Sequence, residues 1–301
     1  MRIRLFLLSA LASTATAVAQ PAPSAAPAQP GTGDTSDIVV IADPAVRERQ
    51  IRQFVDALEN IAGSDPMGRF DSAEICPAAV GLSEAQNRAI AARMRQVAHA
   101  VPLPLAAPDC RPNVLVLIAP DKAEMIRALR ERHPIYFRNA FNQMIEIPAE
   151  RGPATAWHLS ARVDRNGQPL GYDEDLGVEI VSTPVAPSRI SMTVRPVILA
   201  AVVVIEARSL AGLTTTQVGD YAAMRAYAPI RPQGLPQSAN SVLTVLEAPM
   251  DALVPASITE WDLAYLRGLY ATPAYQGAQR QRADIRRAMS RDLEQGGQPR
   301  R

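Results

Sequence analysis

The chain has 301 residues, room for one large domain or two small ones, and a formal net charge of +1. So small a charge gives no strong field to draw the protein to nucleic acid or to an anionic membrane. Basic side chains are almost all arginine, with Lys122 the only lysine, a bias that fits a GC-rich genome better than phosphate binding.

The N-terminus reads as a secretory signal. Arg2 and Arg4 supply a charged start, Ile3 to Leu11 an apolar run, and Ala17-Val18-Ala19 a small-x-small cleavage site, so residues 1–19 are expected to be removed between Ala19 and Gln20. No cysteine follows that site for lipid attachment, and no later run reaches the roughly 20 apolar residues of a membrane span. The expected location is periplasmic or secreted, with no transmembrane segment. Residues 20–36, rich in Pro, Ala, Gly and Ser, bury too little apolar surface to fold and read as a disordered linker. A single α+β domain is expected over 37–275, a mixed sheet with packed helices, followed by a basic tail over 276–301.

Within the domain, Ile38 to Ile41 is a candidate edge strand. Pro44 opens a helix to about Ile61 with Val46, Ile51, Phe54, Val55 and Leu58 roughly on one face. Ser83 is a candidate N-cap for a helix to about Ala100. The only cysteines, Cys76 and Cys110, are expected to form one structural disulfide in an oxidising compartment, adding about 4 kcal/mol through lost unfolded-chain entropy. Val114 to Ala119 is the clearest strand, continuous and apolar and so central. Asp121 then caps a helix to about Arg132, Ala154 to Val163 alternates as a strand, and Asn166-Gly167 signals a hairpin turn. Short strands are expected at Val178 to Val181 and Ile190 to Val194.

The apolar run Val197 to Ile205 fits a buried strand or a buried helix, which periodicity alone does not separate. Pro196 suits a first helical position and Gly212 a left-handed helix stop, so a helix from about Pro196 to Ala211 is predicted. Thr214 or Thr215 caps the next helix, through Tyr227, and Gln276 to Arg301 reads as a basic amphipathic helix with a frayed end.

Three stretches carry a resemblance. Ile205-Glu206-Ala207-Arg208-Ser209-Leu210-Ala211-Gly212-Leu213 resembles the zincin metallopeptidase helix H-E-x-x-H-x-x-G-L, with Ile205 and Ser209 in the two histidine positions. Ser241-Val242-Leu243 resembles the Met-turn of that family, and Ile258 to Tyr270 resembles the C-terminal helix of matrixin-like zincins, L-S-x-x-D-I-x-x-I-x-x-L-Y. The resemblance implies a degenerate zincin-like C-terminal part that holds no metal or other cofactor, because isoleucine cannot ligate zinc and a serine hydroxyl does so poorly. Glu206 would be a vestigial base. The spacing of Cys76-Pro77, Gly81-Leu82 and Cys110-Arg111-Pro112-Asn113 is also similar to that of a family of secreted alphaproteobacterial proteins, and no activity comes with that likeness.

Other candidates are sparse. His99, His133 and His158 are dispersed, and Asp173-Glu174-Asp175 lacks calcium-loop spacing. Ser209 beside Glu206 is the one local nucleophile–base pair, and no G-x-S-x-G elbow or phosphate-cradling glycine loop occurs. The expected function is a non-catalytic protein, a pseudoenzyme that binds a peptide or protein partner. The alternative is a cell-envelope hydrolase that re-sited its chemistry around Glu206 in a concave pocket. A third option is an envelope scaffold that acts through the basic tail.

Overall fold

A computed structural model describes residues 43–58, 65–71, 73–181, 192–249 and 252–296. The signal sequence with Ala19 and Gln20, the Pro/Ala-rich segment and Ile38 to Ile41 lie outside those residues, as do Ile61, Ile190 and Ser191.

Helix α1 (Pro44–Leu58) precedes a βαβ unit: β1 (Pro77–Val80), α2 (Glu84–Ala100) and β2 (Val114–Ala119). Each of the next elements starts where its chemistry predicts. Ser83 caps α2 in a full capping box with Gln86, and the Asp121 side chain accepts from Glu124 N to start α3 (Lys122–Arg132). Strand β3 (Ala154–Val163) leads into a separate hairpin of β4 (Gly171–Asp173) and β5 (Val178–Ile180). Then come the long strand β6 (Arg195–Glu206) and three helices, α4 (Thr215–Tyr227), α5 (Glu260–Ala271) and α6 (Ala278–Glu294). The main sheet has the order β1-β2-β6-β3, with β1, β2 and β6 parallel and β3 antiparallel to β6. This is an α+β arrangement with a mixed sheet.

The segment Pro196 to Ala211 is therefore not a helix. Val202-Val203-Val204-Ile205 is fully buried strand: Val203 and Ile205 face one core, and Val202 and Val204 face another. A strand covered on both faces has no polar side to show, so its sequence loses the alternation that marks a half-exposed strand. β-branched side chains fit that environment better than a helix. Pro196 sits near the strand start, where proline is tolerated. Gly212 does adopt a left-handed backbone (φ +80°), but it closes the 3-10 turn Ala207–Leu210. Of the strand expected over Ile190 to Val194 only residues 192–194 are described; they are not regular strand, and β6 begins at Arg195.

The two cores lie on opposite sides of the sheet. The larger joins β2 residues Val114, Val116 and Ile118 to α1, α2, α4, α5 and α6; the smaller joins Leu117 and Trp157 to Leu129 of α3 and to Phe137. Asn113 stitches the start of the sheet. Its Oδ1 accepts from Cys76 N at 2.8 Å, and its Nδ2 donates to the carbonyls of Glu74 and Leu199. Cys76 and Cys110 are disulfide-bonded just ahead of β1 and β2. In the β3–β4 turn only Gly167 takes a positive φ while Asn166 does not, so the turn is wider than a two-residue hairpin.

Helix α6 is part of the packed body. Ala278, Gln281, Ile285 and Met289 are buried, and α6 crosses α5 at Gly268, where a Cβ would stand 3.3 Å from Ile285. Its arginines are partly engaged, Arg286 with Asp56 and Arg287 with Asp284. The tail expected over 276–301 is thus a core helix as far as Glu294.

Candidate binding cleft

The residues proposed from the zincin-like pattern do not assemble. Glu206 closes β6, with its N–H bonded to the Pro153 carbonyl. Its carboxylate pairs with Arg208 at 2.6 Å, an arginine whose side chain is 80% exposed. The Ser209 hydroxyl donates to the backbone carbonyl of Glu206 at 2.7 Å, so it is not aligned with the carboxylate. Ile205 points into the core beneath the sheet. A zincin role for this stretch needs a helix that brings positions 205 and 209 to one face, and a strand followed by a 3-10 turn separates them.

The other candidates are also accounted for. Asp173 Oδ1 accepts from the N–H groups of Asp175 and Leu176, so the acidic triplet holds the β4–β5 turn. His99 is exposed on α2 and His133 is the C-cap of α3. Among the described residues no group of three His, Cys, Asp or Glu is arranged to hold a metal ion.

His158 is half-buried on β3, with Nε2 3.0 Å from the Ala226 carbonyl. Burial, aided by the Arg225 charge, pushes its pKa down to about 4, against the opposing pull of that hydrogen bond. The folded pKa lies below the unfolded value of about 6.5, so neutral His158 contributes stability that is complete above pH 6.5 and drains away as pH falls toward 4. Urea unfolding at pH 7 and pH 4.5 is expected to differ by about 2.5 kcal/mol on this account, and His158→Gln removes most of that slope.

Beside Glu206, sequence reading missed a polar cluster. Lys122, at the start of α3, donates Nζ–H to the carbonyls of Glu150 and Gly152 at 2.8 and 2.6 Å. The Glu150 carboxylate meets Arg225 of α4 at 2.7 and 2.6 Å, with side-chain exposures of 4% and 1%. Arg225 Nη1 donates to the Tyr221 hydroxyl at 2.9 Å. All of these groups but Arg225 Nε find a partner within the cluster, which makes it a brace between α3, α4 and the loop before β3.

A cavity of about 380 Å³ between α1 and α5 is different. Its floor is aromatic. Phe54 and Trp261 meet edge to face at 5.5 Å and 78°, with Tyr265 behind at 6.4 Å from Phe54. Leu235, Pro236 and Ala239 add apolar lining from the loop before α5. Gln50 and Gln53 of α1, with Ser238 and Asn240 of the loop, stand at the rim, and their side chains make no hydrogen bond with any described residue. None of the lining residues among those described is ionisable.

The walls are fixed by one buried carboxylate. Thr259 caps α5 in a capping box with Asp262. Asp262 accepts from the Ser241 hydroxyl at 2.6 Å, from Val242 N at 2.8 Å and from Thr259 N at 3.0 Å. The Thr259 hydroxyl is 2.9 Å from both Asp262 Oδ2 and the Asn240 carbonyl. The loop carrying Asn240 and the first turn carrying Trp261 are thereby locked together. Two of the three stretches that resemble zincins thus touch, through Ser241 and Asp262. The signal available in the sequence was Trp261 itself, one of two tryptophans, which stands two residues after the α5 cap Thr259. Nothing local showed that α1 would lie across it.

Comparison with protein-family models, curated proteins and solved structures finds no match to this chain.

Proposed function

We propose that this chain is a secreted, non-catalytic binding protein whose cleft between α1 and α5 takes an uncharged peptide segment of a partner. The observation that carries the reading is the preformed aromatic notch of Phe54 and Trp261, rimmed by four polar side chains with no partner among the described residues. Concave apolar sites with a few convergent polar groups are where ligands bind, and about 380 Å³ lies within the usual range. Secretion is supported by the signal-like N-terminus and fits the Cys76–Cys110 disulfide. A distant zincin descent rests now on the last two stretches alone. The hydrolase alternative draws no support from Glu206, whose carboxylate is engaged by Arg208.

Amide chemical shifts test the cleft. With an uncharged, end-blocked hexapeptide mixture, shifts are expected to concentrate at the Trp261 indole N–H, Gln50, Gln53 and Asn240. Trp261→Ala is expected to weaken binding at least tenfold, as loss of a buried aromatic anchor does, while leaving the circular dichroism of the fold intact. Shifts at none of these positions at millimolar peptide would overturn the reading. Mass spectrometry of the exported protein is expected to give Gln20 as the first residue.

A further inference from the structure

We infer that the segment held between α1 and α5 is proline-rich and bound as a polyproline II helix; this rests on the cleft being the binding site. Hydrogen-bonding chemistry gives the first argument. The cleft is walled by two helices and a loop, so it offers no strand edge for an extended peptide to pair with. What it offers at the rim are side-chain groups: the amides of Gln50, Gln53 and Asn240 and the hydroxyl of Ser238. A polyproline II segment leaves its carbonyls unpaired and outward, and its prolines carry no N–H that needs an acceptor. Donors at a rim are then all such a ligand requires. Gln50 and Gln53 lie three residues apart on α1, roughly 4.5 Å along the axis at about 1.5 Å per residue. Carbonyls in polyproline II advance by about 3.1 Å, so two flexible amides reach carbonyls one or two residues apart.

Shape gives the second argument. Two rings at 78° form a notch rather than a flat platform, and Leu235 and Pro236 add apolar surface to its lining. A pyrrolidine ring is apolar all round and fills such a notch with its carbonyl left at the rim. A neutral sugar also stacks on tryptophan, but it would bury hydroxyls against Phe54, Leu235 and Pro236 with nothing to bond them. Charge gives the third. With no ionisable side chain among the described lining residues, a charged segment would lose its hydration with no counter-charge from them. The uncharged cleft is matched by an uncharged ligand. Rigidity gives the last: Asp262 holds the loop and the α5 start in place, and polyproline II is itself preorganised, so little ordering entropy is lost on either side.

The test compares three uncharged probes on the full mature protein, read at the Trp261 indole N–H: end-blocked hexaproline, an end-blocked alanine–serine hexapeptide, and a chitin tetrasaccharide. Hexaproline is expected to bind at least tenfold more tightly than the alanine–serine peptide, to lose that binding in Trp261→Ala, and to weaken several-fold in the rim variant Gln53→Ala. Equal binding of the two peptides overturns the proline inference and leaves the cleft reading standing. Binding of the tetrasaccharide alone overturns both and assigns the cleft to sugars. Binding of none of the three overturns both as well.

Discussion

Replacing Arg225 by methionine is expected to destabilise the protein by about 4 kcal/mol, and the double replacement Arg225→Met with Glu150→Leu to recover most of that loss. Arg225 is 1% exposed and Glu150 4%, so each side chain has lost its hydration and has chiefly the other to compensate. Removing one leaves a buried charge without a partner, which costs far more than the pair contributes. Arg225 Nε is buried without a hydrogen-bond partner, so the pair is imperfect, which is the reason the double variant comes back. Lys122 holds the Glu150 and Gly152 backbone carbonyls, and neither variant touches that anchor. Urea midpoints at constant m value measure both steps. Equal losses in the single and double variants would mean that packing, and not charge, is what Arg225 supplies.

Asp262→Ala is the second large effect, about 3 to 5 kcal/mol. The substitution strips the acceptor from the Ser241 hydroxyl and from the N–H groups of Val242 and Thr259, all at buried or half-buried positions. It also removes the second half of the α5 capping box. Asp262→Asn keeps the shape and one acceptor and is expected to recover part of the loss. Burial raises the Asp262 pKa despite its donors. A carboxyl group whose folded pKa lies above its unfolded one gains stability as pH falls through it, so the acid weakening assigned to His158 is not caused by Asp262. Because Asp262 locks Asn240 beside Trp261, hydrogen exchange in the 239–243 loop is expected to quicken in Asp262→Ala.

Most local starts and stops were legible because they depend on neighbours in sequence. Ser83, Asp121 and Thr214 each accept from the backbone N–H three residues on, as short polar side chains at helix starts do; Thr259 does the same for α5, a cap that sequence reading missed. Val114 to Ala119 announced a central strand by its unbroken apolar run. The same feature misled at Val197 to Ile205, because burial on both faces erases the period that separates strand from helix. Pro196 and Gly212 then tipped the reading toward a helix that the β2 and β3 ladders override. The zincin-like pattern placed Glu206 on that helix, and its geometry went with it.

By itself the sequence determined the caps, the cysteine pair that bridges, the absence of a zinc-binding histidine pair at positions 205 and 209, and the near-neutral charge. Only the tertiary structure decided that Val202 to Ile205 pairs as strand, that α6 belongs to the core, that Arg225 meets Glu150 across 75 residues, and that Phe54 of α1 stands against Trp261 of α5. The division has one physical cause. Caps and turns are set by hydrogen bonds within a few residues, whereas ladders, buried ion pairs and clefts are made by groups far apart in the chain, whose encounter is fixed by which apolar faces pack together.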